Sequence, residues 1–209
     1  MDRSDTRWDV VAAYVTIFSV IYYVAAVALL HVLRTDYDPG YRFLSEYVVG
    51  PYGELMRSTF FVFAVGALAM SFGVWRSVSS KLRFLPGLLL WVIWACAVFL
   101  AGIYTADLQG SPATESGKMH AKMSMIGFPC VTLAMPIISI LFRWEQKWRS
   151  VWLVCIALSA ALVICFFAIG QLAEMRLAGV GQRVFIACML AWIFVIGWNL
   201  LTLAKRGKQ

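Results

Sequence analysis

Two ionisable residues, Asp107 and His120, stand at the edges of long apolar runs, where they could take part in acid or base chemistry. Asp107 closely follows one run, and His120 lies just inside the next. A charged group is costly in the hydrocarbon of a bilayer, so an ionisable residue at the edge of a membrane span is a candidate functional residue. We expect these two side chains to meet at one end of the protein.

Polar residues also occur in the other connections on the same predicted side of the membrane: Ser45, Glu46, Gln182 and Arg183. Together the six residues supply the groups needed for general acid or base catalysis on an ester or phosphoester, with a guanidinium placed for an anionic head group. In this hypothesis His120 is the general base or acid and Asp107 orients it. Arg183 holds the anionic group, and the remaining three residues complete the binding site.

A structural role for the same residues is the alternative. Arg183 could form an ion pair with Asp107 or Glu46 that holds two loops together, and His120 could hydrogen-bond a backbone carbonyl near the start of its helix. Structural ion-pair networks bury charges much as active sites do. The residue types leave both interpretations open.

A metal site has weak support in the sequence. His120, Asp107 and Glu46 could offer an imidazole and two carboxylates, but there is no HxxxH or HExxH pattern, and zinc usually takes more nitrogen or sulfur ligands. The five cysteines lie inside apolar runs without CxxC spacing, as expected of buried apolar side chains. The other histidine, His31, is expected at the membrane interface. We assign no metal, and the sequence identifies no cofactor.

The elements that must position these residues are membrane helices. Of the 209 residues, 62% are hydrophobic and 14% charged, and the mean hydropathy is +0.79, whereas about a quarter of the residues in soluble domains are charged. A helix of roughly 20 apolar residues spans the hydrocarbon and satisfies its own backbone. The sequence predicts one all-α domain over residues 1–209, a compact bundle of six transmembrane helices at residues 10–33, 55–75, 84–104, 119–142, 151–173 and 184–204.

The distribution of charge predicts the orientation of the bundle. Basic residues cluster before the first run and after the second, fourth and sixth, whereas most acidic residues lie in the other connections. By the positive-inside rule both termini are expected in the cytoplasm, with the protein in the cell's inner (plasma) membrane. The net charge of +7 forms no basic stripe with interleaved aromatic residues, so nucleic acid is not expected as a partner.

Two of the outer connections have predictable structure. Residues 34–54 form a long loop rich in aromatic and β-branched residues, which we expect to fold against the outer end of the bundle. Ser111 followed by Pro112 is typical of a helix start, with Ser as the N-cap, so the fourth helix is expected to begin there.

Three motifs carry a resemblance to a known family: Leu44-Ser45-Glu46-Tyr47 with Gly50-Pro51-Tyr52-Gly53, Thr105-Ala106-Asp107 with Gly110, Pro112, Thr114, Gly117 and His120, and Gly181-Gln182-Arg183. They resemble the bacterial and archaeal membrane family catalogued as domain of unknown function 998. Ala106 departs from that pattern, in which Thr adjoins the Asp. The first two motifs are also distantly similar to a eukaryotic six-span family of GPI-anchor remodelling and autophagy modulation. The resemblance implies a six-helix membrane domain with its motifs on the outer loops. It does not indicate which activity the protein has.

Three functions fit these observations. The first is binding, and in a catalytic version modifying, a membrane lipid or lipid-like molecule at an outer polar pocket. The alternative is a non-catalytic structural or accessory subunit of a larger membrane complex, in which the polar set only locks loops together. The third is transport of a small hydrophobic molecule through helices broken by Gly and Pro, although no Asp, Glu, Lys or Arg lies in the middle of a predicted span.

Overall fold

The computed structural model describes the backbone of residues 3–206 and the side chains of residues 7–206, so both ends of the predicted domain lie outside the described residues. Six α-helices account for most of this range: α1 (Arg3–Leu33), α2 (Gly53–Ser77), α3 (Lys81–Ile103), α4 (Glu115–Leu141), α5 (Trp152–Glu174) and α6 (Ala178–Arg206). Short 3-10 helices lie at Leu44–Val48 and Phe142–Trp144. All six α-helices contain stretches long and apolar enough to cross a membrane, which confirms the predicted all-α architecture.

Most of the helices are longer than the predicted spans, because polar residues beside the apolar runs are also helical. Helix α1 begins at Arg3 and not at residue 10, and α6 begins at Ala178 and not at residue 184. The early start of α6 has a visible structural cause. Its first turn packs closely against the loop that follows α1, since a Cβ at Gly179 would lie 2.5 Å from the backbone oxygens of Pro39 and Arg42. Glycine therefore permits a helical start that apolar periodicity alone does not predict.

The helices form a closed ring. Each packs against its neighbours in sequence, and α6 also packs against α1. Bulky side chains of the inner helices fill the centre, where the rings of Trp91 and Trp192 lie 5.0 Å apart and the Trp91 indole donates a 3.0 Å hydrogen bond to the Ala67 oxygen. In its most apolar stretch α5 is 17% buried, against 56% for α6. Helix α5 is therefore the most peripheral member of the bundle.

We call the end of the bundle that carries residues 34–52, 104–114 and 175–177 the long-loop end. The first of these loops folds onto the helices, as the sequence predicted: Tyr47 is fully buried, and Arg34 donates hydrogen bonds to the oxygens of Val49 (2.8 Å) and Pro51 (3.0 Å). The hydrogen-bonded Asp36 carboxylate raises the pKa of the Arg34 guanidinium. This ion pair stabilises the charged form of Arg34, whose hydrogen bonds to Val49 and Pro51 hold the loop against the bundle.

The opposite, short-loop end is organised by Glu145. Its carboxylate is almost fully buried and accepts hydrogen bonds from the Ser79 backbone (2.9 Å), the Ser79 hydroxyl (2.8 Å) and the Ser80 backbone (3.3 Å). Glu145 therefore ties the connection after α4 to the connection between α2 and α3.

Candidate functional site

The first long-loop-end connection contacts both the second connection and the first turns of α6. Leu44 donates its backbone N–H to the Gln182 side chain (2.7 Å), and Gln109 donates its side-chain amide to the Tyr41 oxygen (2.9 Å). Two of these bonds span more than sixty residues of sequence. Folding thus brings Ser45, Glu46, Asp107, His120, Gln182 and Arg183 to the same end of the bundle, although they do not form one cluster.

Glu46 is a clamp between the first two loops. Its side chain is 1% exposed and accepts four hydrogen bonds, from the backbone of Phe43 (2.9 Å), the Arg42 guanidinium (2.9 Å), and the backbone (3.0 Å) and side chain (2.8 Å) of Gln109. A carboxylate has about four acceptor positions. Because all of them are used within the protein, Glu46 is placed to hold the loops around a site.

Asp107 caps the start of α4. Its two carboxylate oxygens accept 2.8 Å hydrogen bonds from the backbone and the hydroxyl of Thr114, and the Thr114 hydroxyl in turn accepts the Gly117 N–H at 3.0 Å. A Cβ on Gly117 would overlap the Asp107 carboxylate. The predicted helix start at Ser111 and Pro112 is wrong, because Thr114 is the N-cap and Asp107 reinforces it.

The expected pairing of Asp107 with His120 is also absent from the structure. His120 is 6% exposed, and its Nδ1 atom lies 2.9 Å from the carbonyl oxygens of both Ala101 and Tyr104, at the end of α3. Carbonyl oxygens only accept hydrogen bonds, so Nδ1 carries a proton, and in the neutral tautomer of the ring the lone pair lies on Nε2. Within residues 7–206, Nε2 has no hydrogen-bond partner. Backbone carbonyls, as in the structural alternative, orient this histidine.

Arg183 joins α6 to α1 and to the first loop. It donates Nε to His31 Nε2 (3.1 Å) and Nη1 to the oxygens of Arg42 (2.8 Å) and Gly179 (3.1 Å). His31 Nδ1 bonds the Val27 oxygen at 2.7 Å, so its Nε2 is the acceptor for Arg183. The ion pair of Arg183 with Asp107 or Glu46 that the structural alternative allowed does not form, because Thr114 and Arg42 occupy those carboxylates.

His31 is thus more than the interfacial residue expected from the sequence. It is an acceptor between two helices far apart along the chain, and its ring also packs 5.4 Å from that of Tyr47. The sequence signal that could have found it is its position in the last turn of the first apolar run, on the same predicted side as Arg183.

Two adjoining cavities lie beneath the long-loop end. The larger, of about 560 Å³, lies between the halves of α4 and α5 that are nearer the long-loop end, and the first two loops of that end cover it. The smaller, of about 80 Å³, lies among α2, α3, α4 and α6 and is mostly apolar. Five residues line both and form what we call the junction: Ser45, His120, Ser124, Phe128 and Gln182.

The junction contains polar groups that no neighbour satisfies. Gln182 uses its oxygen to accept the Leu44 N–H, which leaves its NH₂ group free, and His120 presents Nε2. In the described part of the chain, the hydroxyls of Ser45 and Ser124 also have no hydrogen-bond partner. Unpaired polar groups that line a cavity mark a place where a ligand or water can bind.

Of the six residues predicted from sequence, three lie at the junction and three organise the loops. Glu46 and Asp107 line the larger cavity but use their oxygens within the chain, whereas Arg183 lines neither cavity. The residue that sequence reasoning missed is Ser124. Its spacing of four residues from His120 on one helix was the available signal. In residues 7–206 no three His, Cys, Asp or Glu side chains gather as a metal site requires.

The fold and its composition define an integral, multi-pass membrane protein built as a six-helix bundle. The family model described as "Protein of unknown function (DUF998)" matches residues 17–199. The chain therefore belongs to this family, as its sequence motifs predicted. No curated protein and no solved structure matches the chain.

Proposed function

We propose that this protein binds an amphipathic membrane lipid in the larger cavity, with the polar part of the lipid at the junction and its apolar part between α4 and α5. We call this larger cavity the cleft. The observation that supports the proposal most strongly is that the cleft is mostly apolar and has four unpaired polar groups at the junction. A volume of about 560 Å³ lies within the range of roughly 300–1,000 Å³ that is typical of small-molecule sites.

The side of the cleft formed by α5 favours entry from the bilayer. Phe166, Ile169 and Gly170 line it, and neighbouring side chains such as Phe167 on α5 and Met125 on α4 are 74% and 77% exposed. Because the α5 surface is largely exposed and apolar, it faces lipid tails when the helix spans the membrane. A lipid could therefore pass sideways into the cleft without leaving the membrane.

The polar groups at the junction favour a neutral head-group element such as an ester or a hydroxyl. Gln182 and the two serines offer donors, and His120 Nε2 offers an acceptor. Lys118, which also lines the larger cavity, pairs with Glu115 at 2.6 Å. The cleft therefore recognises hydrogen-bonding groups and presents little unpaired charge.

Gly170 allows a direct test, because a Cβ at this position meets nothing within 4 Å. Gly170→Leu should grow into the cleft and weaken lipid binding at least about tenfold without unfolding the protein, since Leu is a better helix former than Gly by roughly 0.8 kcal/mol. Native mass spectrometry of the detergent-solubilised protein with added phospholipid measures the bound fraction. Phe167→Leu, on the exposed face of α5, is the matched control and should bind as wild type does. Equal lipid occupancy in Gly170→Leu and wild type would contradict the proposal.

A second candidate is a structural or accessory subunit of a membrane complex. The observation favouring it is that Glu46, Asp107 and Arg183 all bond within the chain, as the loop-locking alternative requires. It calls for stoichiometric copurification of other membrane chains with this one. It also calls for junction variants that lower thermal stability and leave lipid occupancy unchanged.

A further inference from the structure

The hydroxyl of Ser124 is exceptional among those in the membrane helices. The other Ser and Thr side chains described in the six helices donate to a backbone carbonyl or share a hydrogen bond with another side chain, as Thr132 does with the Phe128 oxygen on the same helix (2.7 Å). Bonding to the preceding turn is the usual way to satisfy a hydroxyl in an apolar helix. Ser124 instead lines both cavities with its hydroxyl unpaired.

Ser124 and His120 are four residues apart on α4, so their side chains lie on one face of the helix and are adjacent. Both belong to the junction, and the neutral tautomer of His120 with its proton on Nδ1 offers the lone pair of Nε2 there. Ser124 and His120 do not hydrogen-bond to each other, and hydrogen bonds between such acid-base partners often form only when a substrate binds. A serine beside a neutral imidazole has the parts of an activated nucleophile.

The end of α3 supplies the group that orients the histidine, which is the third component of a catalytic triad. Nδ1–H of His120 is held by the oxygens of Ala101 and Tyr104, which belong to the last turn and the C-cap of α3. The carbonyl end of a helix carries a partial negative charge. It therefore fixes the tautomer and stabilises an imidazolium, as a carboxylate does in a Ser-His-Asp triad.

We propose that Ser124 is the nucleophile and His120 the general base of an acyl transfer from a lipid ester held in the cleft. This inference rests on the proposed function, because the cleft must first bind the ester. The Gln182 NH₂ group and the Ser45 hydroxyl are the donors available at the junction for the oxyanion.

In the first half-reaction the Ser124 oxygen bonds to the ester carbonyl carbon, and its proton passes to His120 Nε2. The carbonyl electron pair moves onto oxygen and is stabilised by Gln182 and Ser45. When this pair returns, the bond to the leaving oxygen breaks, and the imidazolium proton converts the leaving group into an alcohol. The product is an acyl ester on Ser124.

In the second half-reaction a water molecule gives its proton to His120 Nε2 and attacks the acyl carbon. The bond to Ser124 breaks, the proton returns to the serine oxygen, and a fatty acid leaves. A lipid alcohol in place of water gives a new ester. No oxidant or reductant is needed in either case.

A long-chain alkyl fluorophosphonate tests this assignment, because it forms a stable P–O bond with an activated serine and releases fluoride. The full-length protein in nanodiscs is incubated with the probe, and the adduct is located by peptide mass mapping. We expect one adduct, on Ser124, that is absent from Ser124→Ala and forms about 10²–10⁴-fold more slowly in His120→Asn. Thr132→Val, which alters a satisfied hydroxyl on the same helix, should react as wild type does.

Phospholipid occupancy, measured by native mass spectrometry on the same preparations, separates the two proposals. If wild type binds lipid but forms no adduct on Ser124, or if the adduct maps to Ser45, the acyl-transfer proposal is overturned and the lipid-binding proposal is retained. If wild type binds no lipid, both fail.

Discussion

The Nδ1 atom of His120, on the second turn of α4, lies 2.9 Å from the carbonyl oxygen of Tyr104, the residue that caps α3. This contact and the equal one to Ala101 join two helices whose connecting loop passes over the site. They also determine which ring nitrogen faces the cavities. The same hydrogen bonds therefore join the two helices and orient the candidate base.

His120→Asn should separate these two roles. The asparagine NH₂ group can take the place of Nδ1–H at the carbonyls, whereas nothing replaces the lone pair of Nε2. We expect stability within about 1 kcal/mol of wild type, together with weaker lipid binding. His120→Ala, which leaves the carbonyls without a side-chain donor, should lose about 1–3 kcal/mol as well. Thermal unfolding in detergent and lipid occupancy are the measurements, and equal destabilisation by both variants would contradict this division.

Asp107→Asn should destabilise the start of α4 through Thr114. The asparagine amide offers one acceptor where the carboxylate offers two oxygens to Thr114, so about 1–2 kcal/mol should be lost, as for other N-terminal caps. Thr114→Ala should lose a similar amount, and the double variant should lose less than the sum because the two residues act as one unit. A double-mutant cycle measured by chemical denaturation tests this coupling. Loss of lipid binding by Asp107→Asn at unchanged stability would indicate a direct role in the site instead.

Arg183→Lys should weaken the contact between α1 and α6 and leave lipid binding unchanged. Lysine is a single point donor and cannot bond His31, Arg42 and Gly179 together as the guanidinium does. We expect a loss of about 1–3 kcal/mol of stability. His31→Ala is the partner variant. Combined with Arg183→Lys, it should cause little further loss of stability. A selective loss of anionic-lipid affinity in Arg183→Lys would restore the role in head-group binding that the sequence first indicated.

Glu145 should make stability fall in acid. Burial raises the pKa of its carboxyl, but the hydrogen bonds from Ser79 and Ser80 and the nearby Arg83 charge together outweigh burial and hold that pKa below its ordinary value. A lowered folded-state pKa contributes stability that is present above the unfolded-state pKa of about 4.3 and is lost as the pH falls through the lower folded-state value.

Glu145→Gln should therefore be less stable at pH 7 and should show a flatter decline below about pH 5. Thermal unfolding across pH 3–7 makes this comparison. Parallel pH profiles for the variant and wild type would show that Glu145 does not provide the acid sensitivity. Glu115→Gln is the matched control, because Glu115 is exposed and forms a surface ion pair with Lys118.

The six helices could be predicted because spanning a bilayer demands long apolar runs, and the chain shows six of them. The grouping of Ser45, His120 and Gln182 at one end followed from the same reasoning, since alternate connections of a helical bundle lie on the same side. These conclusions depend on patterns that repeat along the chain. They need no knowledge of individual contacts.

Hydrogen-bond partners could not be predicted in the same way. Both Thr114 and His120 are close enough to Asp107 along the sequence to bond to it. Asp107 bonds to Thr114, because Thr114 offers two donors at a helix start that needs a cap. Arg183 bonds to His31, about 150 residues earlier, because α6 closes the ring against α1. Such choices depend on tertiary packing, which residue types and spacing leave undetermined.

The central claim, that a lipid occupies the cleft between α4 and α5, is tested most directly by photocrosslinking. A phospholipid with a diazirine in its acyl chain is irradiated with the protein in nanodiscs, and the labelled residues are mapped by mass spectrometry. We predict labelling concentrated at Phe128, Phe166 and Ile169, and a marked loss of labelling there in Gly170→Leu. Labelling spread evenly over the lipid-exposed faces of all six helices, unaffected by that substitution, would contradict the account.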